Sequence, residues 1–436
     1  MTVTRIGTAN LYDRSIQNIT RQQAELASQM EHASAGKRVI RASDDPVAAA
    51  QAERARTRMT RIDTDQRVLD AQTATITYGE ATLGEMYDAI EDFRSLLVQA
   101  GNGTFNQTQR DTLVEQLQSL RDQVLAYSNR TDSNGLPLFR GLDAKSNIPF
   151  PNGTSAINAG QVNNTDYSIT NTLNGALAFF SGVTGNGVLT VELGAEDPAT
   201  PGSYLPNQGK AWASVGTIVD ANAATSLQDN LAVEFFYDAN DTLSYRIRNT
   251  DTNALLPLND KEGNPITPAV TELAYKDGES IFVSGMQFAI TGVPYADKDN
   301  PGTTGDVFTI TQSKPQSVFD VLDQAIASVR DAGNTDGTTS YGALAHGLAK
   351  AQAEIDTQLN RINTVRGYAG NLLSQAERMG NTLDARSEQM ENQRTTAEDI
   401  DMVAALSQLK TQETAVSAAL QSYASIQKLS LMDYIR

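Results

Sequence analysis

Apolar positions along the chain fall into two regimes. Over roughly the first third and the last quarter they recur three and four residues apart, which is the period of helices packed on helices. Tyr12, Ile16, Ile19, Gln23, Leu26, Met30 and Ala33 form one such seam with a polar interruption at Gln23. Ile62, Leu69, Ile76, Leu83, Ile90 and Leu97 repeat every seven residues, with Met86 and Phe93 filling the second seam position. Leu113, Leu117, Leu120, Val124 and Tyr127 make a third stripe. Leu344, Leu348, Ala351, Ile355, Ile362, Val365, Ala369, Leu372, Ala376, Met379, Leu383 and Met390 make a fourth, broken at Gln358 and Arg386. Met402, Leu406, Leu409, Val416, Leu420 and Tyr423 close the series, interrupted at Glu413.

Local signals punctuate these stripes. Ser43, Asp44 and Asp45 supply side-chain acceptors for the orphan amides of a helix start, and Pro46 suits a first helical turn. Gly101 and Gly103 mark that helix's end. Thr108 to Asp111 is spaced as a capping box, and Thr396 with Asp399 predicts the start of the final helix. Gly367, Gly370 and Gly380 lower the intrinsic helicity of the fourth stripe.

Between the helical ends the texture changes. Of 13 prolines, 11 lie between Gly141 and Pro315, and the apolar runs there shorten to strand length. Strands are predicted at Val188 to Leu193, Leu231 to Tyr237, Leu243 to Arg248, Met286 to Ile290 and Val307 to Thr311. Asp238 to Asp241 reads as the turn of a hairpin.

The predicted class is α+β: a long antiparallel helical bundle or coiled coil formed by both chain ends, with a central β-rich inserted domain. The expected divisions are 1–42 (N-terminal assembly helix and loop), 43–140 (N-terminal part of the helical core), 141–315 (central outer domain), 316–396 (C-terminal part of the core) and 397–436 (C-terminal assembly helix). A strict seven-residue repeat implies left-handed supercoiling. The pattern leaves open whether the seams close within one chain, in a dimer or in a polymer. A lone terminal helix with one narrow stripe gains too little by itself to stay folded, so both termini call for a partner.

Charge and composition narrow the functions. The 436 residues carry 34 Lys+Arg against 52 Asp+Glu, and 141–315 alone holds −11 of the net −18. That balance argues against binding nucleic acid or anionic lipid. The basic run Arg54, Arg56, Arg58, Arg61 and Arg67 is interleaved with Glu53, Asp63, Asp65 and Asp70, which points to ion pairing within or between helices. Cysteine is absent, which removes disulfides and thiolate chemistry. The two histidines, His32 and His346, stand on different segments and are read as surface or seam-flanking. Asp297, Asp299 and Asp238 to Asp241 do not follow the calcium-loop pattern and are read as solvated turns. No nucleophile elbow, phosphate loop or paired catalytic carboxylate stands out; no catalytic, cofactor or metal site is expected, nor an enzyme. No stretch reaches membrane-span length, and Met1 to Arg5 leads into a polar helix, so neither membrane insertion nor a cleaved, Sec-type signal peptide is expected.

Several segments are more specific. Gly36 to Ala50, with Ser43-Asp44-Asp45-Pro46, resembles the loop-to-helix signature of the hook-associated branch of the bacterial flagellin superfamily. Asn129 to Gly141 is similar to that family's turn out of the helical core, Gly305 to Ile310 to its returning strand, and Leu429 to Ile435 to its ending. The resemblance covers about the first 140 and last 120 residues. It implies a flagellar structural subunit, extracellular, at the junction of hook and filament. The implied partners are copies of itself in a ring, an adjacent hook-associated protein on the hook side, flagellin on the filament side, and a cytoplasmic export chaperone with the flagellar type III export apparatus. Tyr12, Ile16, Ile19, Leu26, Met30, Met402, Leu406, Leu409, Val416, Leu420 and Tyr423 become the candidate assembly interface. The alternative within the family is a flagellin filament subunit; outside it, an extracellular enzyme or adhesin carried on helical ends.

Overall fold

The computed structural model describes residues 8–102, 105–139, 167–170, 172–200, 203–260, 262–332 and 341–434, with backbone alone at 8–12, 341 and 426–434. The helices are α1 (Thr8–Ala35), α2 (Pro46–Ala100), α3 (Gln107–Ser128), α4 (Gly175–Phe179), α5 (Ala221–Ser226), α6 (Val318–Asp331), α7 (Tyr341–Glu398) and α8 (Met402–Tyr434). The strands are β1 (Gly182–Val183), β2 (Leu189–Leu193), β3 (Trp212–Ala213), β4 (Thr217–Ile218), β5 (Leu231–Tyr237), β6 (Leu243–Asn249), β7 (Glu272–Ala274), β8 (Ser280–Val283), β9 (Met286–Thr291), β10 (Val307–Gln312) and β11 (Pro315–Gln316). They form two compact units, one of 1–70 with 377–436 and one of 71–376.

In the larger unit the seven-residue seam of α2 becomes its core: Ile76, Leu83, Met86, Ile90, Phe93 and Leu97 are fully buried, as are Ile355, Ile362, Val365 and Ala369 of α7. Burying each such side chain stabilises the fold by roughly 1.5–3 kcal/mol. Antiparallel pairing of α2 and α7 is fixed by Glu80 with Arg366 and Arg94 with Asp356. The α3 cap lies two residues before the predicted box: Asn106 accepts from the Gln109 amide, and Gln109 returns a bond to the Asn106 amide. Asn106 and Gln109 thus do what Thr108 and Asp111 were expected to do. Leu113, Leu117 and Val124 are buried, and α6 packs on α3. Gly103 and Gly141 lie outside the described residues.

Besides the two-stranded antiparallel pair of β1 and β11, the strands build two larger antiparallel sheets. One has the order β2-β10-β5-β6-β7; in the other, β9 pairs with β3, β4 and β8. The β5–β6 hairpin turns on Asp238, whose Oδ1 accepts the Asn240 and Thr242 amides. Phe235, Ile247, Phe308 and Ile310 from one sheet share a core with Met286, Phe288 and Ile290 from the other, and the Phe235 and Phe308 rings meet edge to face at 5.9 Å.

Two polar positions of α7 lie beside its apolar seam. His346, read as surface or seam-flanking, is buried there, its ring nitrogens 3.0 and 3.1 Å from the Ala213 and Val191 carbonyls. Gln358, the polar interruption of the stripe, is fully buried and donates to the Gln316 carbonyl. Both side chains find backbone acceptors in the β-region, which offsets part of the cost of burying them, while Gln358 Oε1 is buried without a hydrogen-bond partner among the described residues.

Candidate assembly interface

In the smaller unit α1 and α8 pack against each other. The Lys37–Asp399 antiparallel bridge, the Ile400 amide donating to the Gly36 carbonyl, and Gln412 donating to Glu25 set them antiparallel. Gly36 has φ +68°, a left-handed conformation that glycine adopts at little cost just past a helix end.

The apolar residues of these helices divide into an inner and an outer stripe. Ser15, Ile19, Gln22, Leu26, Gln29 and Ala33 of α1 are at least half-covered, and so are Ala405, Leu409, Gln412, Val416, Ala419 and Tyr423 of α8. The outer stripe is uncovered: Ile16, Met30, Met402, Leu406 and Leu420 remain 43–55% exposed. The structure therefore brings Ile19, Leu26, Leu409, Val416 and Tyr423 of the predicted interface into the intrachain seam and leaves the other five facing outward. The side chain of Tyr12 lies outside the described residues, as does Ile435. Sequence reading merged the two stripes because Ile19, Leu26 and Ala33 satisfy either register. The glutamines of the inner one carry no hydrophobic signal.

The helix-start signature resolves into separate tasks. Asp45 caps α2, its Oδ1 accepting the Val47 and Ala48 amides at 3.1 and 3.0 Å, while Pro46 opens the helix. Asp44 instead closes the preceding loop by accepting the Ile40 and Arg41 amides. Backbone hydrogen bonds hold both carboxyls below the ordinary aspartate range, from Arg41 first for Asp44 and from Ala48 first for Asp45, which Arg38 also assists. Ser43 was expected to contribute to the cap; its hydroxyl points to the Asp44 carboxylate at 3.5 Å and meets no helix amide.

The loop before α2 is stapled to the end of α7. The Arg38 and Val39 amides donate to the Glu398 carbonyl, and the Glu398 carboxylate is bound by Lys37, Arg56 and Arg394. Val39, Ala48, Ala52 and Ala397 bury a small apolar cluster beneath. Because α7 runs through to Glu398, the predicted start of the last helix at Thr396 is corrected: Thr396 Oγ1 donates back to the Asn392 carbonyl, and Asp401 caps α8 by accepting the Val403 and Ala404 amides. An open groove of about 950 Å³ lies between the start of α2 and the end of α7, with Arg54 and Arg58 on one wall and Glu388 and Asn392 on the other. Among the described residues no His/Asp/Glu group could hold a metal ion and no helix is long and apolar enough to cross a membrane.

Known proteins resemble this arrangement at both chain ends. Residues 6–144 match the bacterial flagellin N-terminal helical region and residues 353–435 the bacterial flagellin C-terminal helical region. Flagellar hook-associated protein 3 of Salmonella typhimurium is 35% identical over 159 residues, 36% of this chain and 49% of that protein. Flagellin of Bacillus subtilis is 32% identical over 114 residues, 26% of this chain and 38% of that one. The chain thus spans about half the length, or less, of these curated relatives. The crystal structure of the flagellar junction protein from Legionella pneumophila superposes with a TM-score of 0.57 at 25% identity, covering 74% of this chain and 98% of that one.

Proposed function

We propose that this chain, which belongs to the bacterial flagellin family through both of its helical ends, is a structural subunit at the junction between hook and filament and not an enzyme. The observation that carries the reading is the outer stripe of the α1–α8 pair. Five large apolar side chains on two adjacent helices face solvent in the isolated chain, and an exposed stripe of that kind is covered when neighbouring copies pack on it. A junction fits better than a filament because likeness to the hook-associated protein is longer and higher than likeness to flagellin. The superposed structure that this chain covers almost completely is that of a flagellar junction protein.

In this reading Ile16, Met30, Met402, Leu406 and Leu420 pack against other copies in a ring, with a hook-associated protein on one side and flagellin on the other. The acidic β-region faces outward. An export chaperone and the flagellar export apparatus deliver the chain to the extracellular flagellum. The terminal helices order as neighbours cover them, so that the entropy of ordering opposes premature polymerisation.

Deleting the gene decides between the readings. Cells lacking this chain are expected to build hooks yet shed flagellin monomer into the medium. Retained filaments, or loss of flagellin without shedding, would overturn the junction reading. Excising 147–299 while assembly persists would separate the outer region from the joining role. Amide exchange reports on coupled folding: protection across the first 35 and last 40 residues of the free monomer would count against it.

A further inference from the structure

The groove between the start of α2 and the end of α7 lies wholly within the smaller unit. Ala48, Ala55 and Ala397 line it and are buried, and side chains that small let another helix come close. On one wall Arg54 and Arg58 stand four residues apart and so share one face of α2. Both are exposed. The neighbouring acid, Glu53, is taken by Arg56 at 3.4 Å, and neither Arg54 nor Arg58 has an ion pair among the described residues. The α7 wall presents the amides of Gln389 and Asn392 and a single carboxylate, Glu388. Arg38 and Asp45, which also line the groove, pair with each other at 3.0 Å.

The chain carries 52 acidic residues against 34 basic ones, so its copies repel one another at a distance. Close packing of copies then needs places where cations of one meet carboxylates of the next. The larger unit holds a feature that matches the groove. Asp88 and Asp92 of α2 are exposed, also stand four residues apart, and make no ion pair among the described residues. Their neighbours Glu85 and Glu91 are engaged by Arg130 and Arg94. Two arginines and two aspartates with the same helical spacing can meet one to one, and such charge-assisted pairs fix the register of a contact.

We infer that the groove receives a second copy of this chain, whose Asp88 and Asp92 lie against Arg54 and Arg58. Glu388 repels carboxylates on the far wall and so sets which side of the entering helix faces α2. The contact joins two different surfaces and is therefore heterologous; it passes from copy to copy and closes into a ring when the rotation between neighbours closes. The inference rests on the reading that copies pack together, and adds to the outer stripe of α1 and α8 a charged contact that fixes their register.

Sedimentation of the full chain over a range of concentrations, at low and at high salt, tests it. Wild type is expected to self-associate, and more weakly as salt screens the paired charges. Arg54→Glu with Arg58→Glu should weaken association roughly tenfold or more, because like charges then face each other. Asp88→Arg with Asp92→Arg alone should weaken it as well, and the four substitutions together should restore it. Thermal melts should leave each variant close to wild type, since all four side chains are exposed. Should a reversed chain fail to fold, Arg54→Gln with Arg58→Gln carries the same test with a smaller loss. A wild type that stays monomeric, association indifferent to Arg54 and Arg58, or a charge swap that fails to restore it overturns the inference. Association that Leu406→Ala weakens while Arg54 and Arg58 do not matter would remove the groove and leave the junction reading standing.

Discussion

Arg121 and Asp323 face each other as a two-pronged ion pair, Nε to Oδ1 at 2.9 Å and Nη2 to Oδ2 at 3.0 Å, and so fasten α3 to α6. The guanidinium also lies over the Phe319 ring, 5.7 Å from its centroid. Lysine cannot reproduce the planar fork. Asp323 is half-exposed, so the loss lies nearer that of a surface pair than of a buried one. Arg121→Lys is expected to cost about 1 kcal/mol, read as a shift in the urea midpoint; an unchanged midpoint would show that the fork adds no stability.

Asp45 and Ser43 should separate cleanly on substitution. Asp45→Ala removes the acceptor for two helix amides and should lower the thermal midpoint, whereas Ser43→Ala should leave it in place. The sign with pH follows from the depressed Asp45 carboxyl. Its contribution is present above the unfolded aspartate value and disappears as pH falls through the lower folded value. Asp45→Asn keeps the cap and should flatten that acid limb, checked by thermal melts at pH 7 and in the acid range.

Buried and exposed apolar seams should respond oppositely. Leu83 is fully buried, and Leu83→Ala is expected to cost about 3 kcal/mol through lost transfer and a cavity. Leu406 is half-exposed; Leu406→Ala should leave monomer stability within about 0.5 kcal/mol while reducing co-assembly, measured by sedimentation. Equal effects of the two on monomer stability would remove the distinction between the buried α2 seam and the outer stripe of the α1–α8 pair.

These contrasts show where sequence alone could lead. Ile76, Leu83, Ile90 and Leu97 were legible because a continuous helix keeps its period for many turns, and β5 and β6 because seven-residue strands joined by Asp238 to Asp241 pair locally. Trp212–Ala213 and Thr217–Ile218 were not. Two-residue strands carry no period, and their partner β9 lies about 70 to 80 residues away. The α6 helix, though capped by Ser317 and apolar at Val318, Val321, Leu322 and Ala325, is too short for a seven-residue repeat to show. The contacts of His346 and Gln358 were hidden for a different reason. They lie beside the apolar seam of Ile355, Leu359 and Ile362, and a reading built on hydrophobic spacing treats polar residues there as interruptions rather than as a second set of contacts.

Glu234 offers the sharpest electrostatic test. It sits on β5 with its side chain nearly buried, directly across from Arg246 on β6. Arg246 Nε reaches Oε2 at 2.7 Å, and Arg248 reaches Oε1 and Oε2 at 2.8 and 3.1 Å. Burial alone pushes this carboxyl up, but the hydrogen bonds and charges of Arg248 and Arg246 outweigh it and hold the carboxyl below the usual glutamate range. A depressed folded value means stabilisation that is present above the unfolded glutamate value and is lost as pH falls through the folded one. Glu234→Gln leaves two arginines without their anion, so the expected loss at pH 7 is about 3 kcal/mol, the range for breaking one side of a buried pair. As pH falls through the folded value, below the usual glutamate range, the wild-type carboxyl takes up its proton and the difference between the two proteins should shrink. Urea unfolding followed by Trp212 emission at pH 7 and in that acid range measures it. If the variant matched wild type at pH 7, the two arginines would be solvated well enough to stand without Glu234, and the pairing across β5 and β6 would rest on backbone and packing alone.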